Sequence, residues 1–183
     1  MGGVRSRPAL AFNIPKGPIW YPDEHDVSRW CRMLRRPHTP PPVPEATVVH
    51  IGAKSPDRRW DPERFAQVAT ELEREGHEVV ATGQDVEWSG PGRNLLGRLD
   101  LEQLAALVAD ARVVVSGNTG VAHLATAYSR PSVALFGPMS PRLWGPPKDP
   151  LHRVLWDPVT RSLDAITVDE VLSAVRMQAE RLP

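Results

Sequence analysis

Apolar runs of four or five residues alternate, from Thr47 onward, with segments whose apolar positions recur at helical spacing. The run Thr47-Val48-Val49-His50-Ile51-Gly52 predicts a first strand. Asp61-Pro62-Glu63 then opens a helix through about Glu75, with Asp61 at the N-cap, Pro62 at the first helical position and Gly76 as the stop. Its buried stripe is Phe65, Val68, Ala69 and Leu72. A second strand follows over His77 to Gly83, and a short third over Asn94 to Gly97. Asp100 caps a helix through Ala109, with Leu101, Leu104, Ala105 and Val108 expected to face inward. Arg112 to Val115 predicts another strand, and a helix follows from Thr119. Ser132 to Gly137 and His152 to Trp156 read as strands, and Thr167 begins a closing helix to about Arg181.

Strands alternating with helices of this length predict βαβ units, hence an α/β fold with a Rossmann-like parallel sheet and helices on both faces. Ligands of such sheets bind beyond the carboxyl ends of the strands. Three segments fall there: Gly52-Ala53-Lys54-Ser55, Gly83-Gln84-Asp85-Val86-Glu87, and the turn Ser116-Gly117-Asn118-Thr119-Gly120-Val121-Ala122-His123. The last joins a buried strand to a helix, with Asn118 or Thr119 as N-cap. A turn of this kind presents free backbone N–H groups and the positive end of a helix dipole, which suit a phosphate. By itself the segment fits a structural cap equally well. His123, about one turn into the helix, would by itself read as a partly buried histidine satisfied by a carbonyl.

Composition narrows the class. The 183 residues are 41% hydrophobic and 24% charged, with a formal net charge of zero, so bulk charge gives no reason to expect nucleic acid as a partner. The Arg29 to Arg36 stretch reads as a solvated helix face. The single cysteine, Cys31, allows no internal disulfide and suits a reducing compartment. No apolar run approaches the ~20 residues of a membrane helix. Arg5, Arg7 and Pro8 interrupt any signal-like apolar region at the start. The expected location is cytoplasmic. Proline is clustered over Pro37 to Pro44, a stiff linker that divides residues 1–44 from a domain over 45–183. The six histidines are scattered without metal-ligand spacing. Neither a nucleophile elbow nor a Gly-rich Lys loop of the NTPase kind occurs.

The ordered set of motifs resembles a known family. His50-Ile51-Gly52-Ala53, Arg58-Arg59-Trp60-Asp61-Pro62-Glu63-Arg64-Phe65, Gly83 with Glu87, Ser116 to His123, and Phe136-Gly137-Pro138 before Trp144-Gly145-Pro146 stand as in glycosyltransferase family nine, the ADP-heptose:lipopolysaccharide heptosyltransferase type. The similarity runs from about Val48 to the end, and more weakly over Ala9 to Arg36. It implies the C-terminal donor-binding half of a GT-B enzyme, with residues 1–44 as a remnant of the first domain plus linker. The implied reaction is inverting, metal-independent sugar transfer from a nucleoside diphosphate sugar to a glycan or lipid-linked acceptor, with no further cofactor. The implied donor-binding residues are Ser55, Arg58, Gly83, Glu87, Asn118, Thr119, Gly120 and His123. Arg58 and His123 would stabilise the leaving diphosphate, with Arg59 as the alternative to Arg58, and Glu87 would meet the ribose. Trp60, Phe136, Trp144 and Trp156 are expected to pack.

Two departures stand out: Asn118 where the family has aspartate, and Met139 where it has a small polar residue. The first domain would supply the acceptor site and the acidic base. No base is nominated here, although Asp23, Glu24 and Asp26 lie near that domain's remnant. A separate first-domain chain is therefore an expected partner, and a peripheral place at the inner face of the membrane follows from the acceptor. The alternative is a non-catalytic nucleotide-sugar binding module or an inactive half-enzyme.

Overall fold

The computed structural model describes residue 43 and residues 45–181. The remnant and linker assigned to residues 1–44, including Cys31 and the acidic residues Asp23, Glu24 and Asp26, lie almost wholly outside the described residues. So does any packing of the closing helix against that segment.

Six strands form one parallel sheet: β1 (Thr47–His50), β2 (Val79–Thr82), β3 (Arg93–Asn94), β4 (Val113–Gly117), β5 (Ser132–Phe136) and β6 (His152–Trp156). Their spatial order is β3-β2-β1-β4-β5-β6. Chain order reverses between β1 and β4, so the ligand-binding crevice of a doubly wound sheet falls there. The helices are α1 (Pro62–Arg74), α2 (Leu101–Ala109), α3 (Gly120–Ala127), α4 (Pro141–Trp144) and α5 (Val168–Ala179). Short 3-10 turns occupy Pro56–Arg58 and Leu163–Ala165.

Strand alternation divides the core in two. Val49, Ile51, Val79, Val113, Val115, Val133 and Leu135 meet Phe65, Val68 and Leu72 of α1 and Val171, Leu172 and Val175 of α5. Val48, Val80 and Val114 meet Leu107 and Val108 of α2 and Val121, Leu124 and Ala125 of α3. Trp60 lies in the first cluster, edge-on to Phe65 at 4.8 Å between ring centroids. Its indole N–H donates to the Ile166 carbonyl at 3.1 Å, so the packing role expected of it holds.

Local signals account for the helix starts. Asp61 accepts from the Glu63 N–H, with Pro62 following. Asp100 with Gln103, and Thr167 with Glu170, form capping boxes.

Some expectations shift. Leu101 is 56% exposed rather than inward, because the first turn of α2 lies beyond the layer that touches the sheet. The third strand is Arg93–Asn94, not Asn94 to Gly97, although the Leu95 and Gly97 N–H groups still donate to the Ala81 and Gly83 carbonyls beyond its end. Pro141–Trp144 forms a one-turn helix, with Ser140 capping it. Trp144 is 46% exposed there, against the packing role expected of it. Phe136 is buried as expected, and the Trp156 indole N–H donates to the Gly137 carbonyl at 3.0 Å. The closing helix ends at Ala179, two residues before the expected end.

Candidate functional site

The three loops predicted to share an edge do share it. The β1 and β2 loops touch at two glycines: a Cβ on Gly52 would lie 3.1 Å from Gly83 Cα and 3.0 Å from the Gln84 nitrogen. Gly83 has φ +156°, and its own Cβ would lie 3.0 Å from the Gly52 nitrogen. A side chain at either position would prise the loops apart. The 3-10 turn Pro56–Arg58 is laid over the ends of β4 and β5 in the same way. A Cβ on Gly117 would sit 3.0 Å from the Arg58 carbonyl oxygen, and one on Gly137 would sit 3.5 Å from that of Asp57.

Beside this turn lies a narrow, closely packed crevice lined by Arg58, Asn118, Leu135, Gly137, Pro138, Met139 and Leu163. Two sequence candidates, Arg58 and Asn118, therefore share one wall system. Met139, the second departure from the family pattern, is there too. A larger open groove between α1 and α5, lined by Gln67, Thr70, Glu71 and Arg176 among others, lies away from the strand ends.

The N-cap of α3 is Thr119, not Asn118, and its side chain makes no capping bond. Thr119 Oγ1 is buried and has no hydrogen-bond partner among the described residues. Buried hydroxyls are ordinarily partnered. This hydroxyl stands at the N-terminus of an eight-residue helix, a setting whose dipole favours negative charge. Gly120 is exposed beside it, and His123 is half-buried and already engaged by a neighbour.

The two arginines separate cleanly. Arg59 Nε donates to the Ala53 carbonyl at 2.8 Å, so it fastens the β1 loop. Arg58 is exposed, and its side chain makes no hydrogen bond or ion pair among the described residues, which leaves the guanidinium available to a ligand. Ser55 donates its hydroxyl to Asp57, which pins the same turn. Glu87 is exposed on the β2 loop, whose Asp85 takes a left-handed φ of +55°. Among the described residues no group of three His, Cys, Asp or Glu side chains could hold a metal ion, and no helix is long and apolar enough to cross a membrane.

One residue of this edge opens a family motif without being among the implied donor-binding residues. His50 is the last residue of β1, and its Nδ1 meets Thr82 Oγ1 at 3.0 Å. Burial pushes its imidazole down to about pKa 4, so the ring is neutral at physiological pH. The signal that could have found it was the one polar residue in the apolar run Val48-Val49-His50-Ile51.

The sequence profile of glycosyltransferase family 9 (heptosyltransferase) matches residues 42–163 of the 183. The chain belongs to this family. It is 33% identical over 148 residues to lipopolysaccharide heptosyltransferase 2 of Escherichia coli K12, a match that covers 72% of this chain and 42% of that protein. The structure of E. coli ADP-heptose lps heptosyltransferase II superposes with TM-score 0.65 at 26% identity, over 92% of this chain and 55% of that one. E. coli heptosyltransferase WaaC with ADP shares the fold, with TM-score 0.64 at 22% identity over 85% of this chain and 57% of that one. The family-nine chain thus has the Rossmann-like α/β sheet of the GT-B heptosyltransferases. It spans less than half the length of the curated relative it matches.

Proposed function

We propose that this family-nine chain is the donor-binding half of a heptosyltransferase-like glycosyltransferase, and that its edge between β1 and β4 takes a nucleoside diphosphate sugar. The orphaned, buried Thr119 Oγ1 at the N-terminus of α3 carries the reading. It supplies a hydroxyl where the helix dipole already favours negative charge. The unpaired Arg58 guanidinium adds a fixed positive charge across the crevice. ADP-heptose is the first donor to test, because the E. coli relatives are described with ADP-heptose and with ADP.

The proposed reaction is the inverting sugar transfer that the family resemblance implies. An acceptor hydroxyl, losing its proton to a base, forms a C–O bond at the anomeric carbon of the sugar. The bond from that carbon to the diphosphate oxygen breaks, and the diphosphate leaves with the electron pair. Arg58, the Thr119 hydroxyl, the N–H groups around Gly120, and His123 oppose the charge that develops on it. Ser55, Gly83 and Asn118 shape the approach, and Glu87 accepts from the ribose hydroxyls. A lipopolysaccharide-type acceptor agrees with the relatives' names.

Calorimetry with ADP against Thr119→Val and Arg58→Ala tests the reading. Each substitution is expected to weaken ADP about tenfold, the effect of losing one hydrogen bond of charge-assisted strength. Unchanged affinity in both variants would remove these residues from the site.

A second reading is binding without turnover. The residues assigned above all meet the donor, and none of them is assigned as an acceptor contact or as the base. Positioning alone can be worth ~7–11 kcal/mol of barrier. ADP-heptose binding by the purified chain without sugar transfer, and transfer restored by an added first domain, would select this reading.

A further inference from the structure

Three histidines pair with a hydroxyl on the neighbouring strand. His77 Nδ1 meets Thr47 Oγ1 at 2.8 Å, His152 Nδ1 meets Ser132 Oγ at 2.9 Å, and His50 Nδ1 meets Thr82 Oγ1 at 3.0 Å. The first two pairs sit at the amino ends of the strands, since Thr47, Ser132 and His152 each open one. Only the third sits at the carboxyl ends, where this fold class binds its ligands.

The neighbours of that third pair sharpen the contrast. Along the α2 and α3 face of the sheet, Val48, Val80 and Val114 stand in register and are all buried in one apolar cluster. Two residues further on, the same face carries Thr82, His50 and Ser116, again in register. Thr82 and Ser116 are 2% and 1% exposed. A polar rung so buried is costly unless its groups are used. His50 at its centre is only half-buried, and its Nε2 has no partner among the described residues. The N-terminal half of α3, with the orphaned Thr119 hydroxyl at its cap, packs on this same face through Val121 and Leu124.

We propose that His50 is a further donor-binding residue, held by Thr82 so that its Nε2 hydrogen-bonds an oxygen of the nucleoside diphosphate. The inference rests on the donor-site reading above and adds to it an uncharged contact on the α3 side of the crevice. Thr82 is the positioning residue: its hydroxyl fixes the ring orientation and leaves the second nitrogen for the ligand. Because burial holds the ring neutral, the contact is a directional hydrogen bond and adds no charge to the site. The oxygen belongs either to the phosphates or to the ribose.

Ring-nitrogen NMR of the full chain tests this without altering the fold. The His50 signals are assigned by their loss in His50→Asn. On addition of ADP, the His50 Nε2 resonance is expected to move while those of His77 and His152, at the opposite edge, stay. Pyrophosphate reproducing the shift assigns the contact to the phosphates; adenosine reproducing it assigns the contact to the ribose. His50→Asn should weaken ADP about five- to tenfold, and Thr82→Val by less, in line with loss and loosening of one hydrogen bond. An unmoved His50 resonance under ADP, with Thr119→Val still weakening ADP, overturns the inference and leaves the donor site standing. ADP affinity indifferent to Thr119→Val and Arg58→Ala overturns the donor site itself, whatever His50 does.

Discussion

A β-carbon on Gly117 would stand 3.0 Å from the carbonyl oxygen of Arg58. The last residue of β4 thus seats the turn that carries the unpaired guanidinium. The obstructing atom is backbone, so it cannot swing aside as the tip of a side chain would. Gly117→Ala is expected to lift the Pro56–Arg58 turn, cost about 1–3 kcal/mol as an overpacked contact does, and weaken ADP. Urea unfolding with parallel calorimetry checks both. Wild-type affinity in a destabilised Gly117→Ala protein would mean that the seat of the turn does not govern the ligand.

Trp60 should divide into two separable contributions. Trp60→Ala empties a fully buried site beside Phe65, and is expected to cost about 3–5 kcal/mol. Trp60→Phe keeps most of the packing and loses the indole N–H with a part of the ring volume. The Ile166 carbonyl would still accept from Arg64 at 3.0 Å, so the expected cost is nearer 1 kcal/mol. Urea denaturation midpoints distinguish the two, and equal losses would contradict the division.

Stability should fall as the solution is acidified through the histidine range. Burial lowers the folded-state pKa of His50, His77 and His152. The unfolded chain therefore binds more protons than the folded one below pH 6.5. These groups contribute fully above 6.5, and their contribution is lost as pH falls from there toward the folded pKa. For His50 the window runs from 6.5 down to about 4, and the loss between pH 7 and pH 5 is on the order of 2 kcal/mol. Unfolding free energies at pH 7 and pH 5, compared with those of His50→Asn, test this. An equal pH slope in the variant would exclude His50 as the cause.

Leu143 is 80% exposed on α4, with Trp144 beside it also open to solvent. The double substitution Leu143→Ser/Trp144→Ser should leave stability within about 0.5 kcal/mol. Thermal unfolding provides the measurement. A drop of several kcal/mol would restore the packing role that the sequence pattern suggests for Trp144.

Periodicity and capping residues alone determined the fold class. Val48-Val49, Val79-Val80 and Val113-Val114-Val115 can be buried only in a sheet covered on both faces, and Asp61, Asp100 and Thr167 mark their helices because the capping interaction is local. The strand-to-helix turns likewise marked the edge at which this fold class binds its ligands, since they fall at carboxyl ends whatever the strand order. Tertiary structure decided what depends on partners distant in the chain. Arg58 and Arg59 are chemically alike and adjacent; only the fold of the β1 loop gives Arg59 the Ala53 carbonyl and leaves Arg58 free. Asn118 and Thr119 are both good N-caps, and only the path out of β4 placed Thr119 at the cap with its hydroxyl buried and unpartnered. His50 reads as one polar residue in an apolar strand until parallel pairing sets Thr82 and Ser116 on either side of it. Hydrophobic pattern is written in neighbouring residues, whereas the pairing of polar groups depends on which strands the sheet brings together.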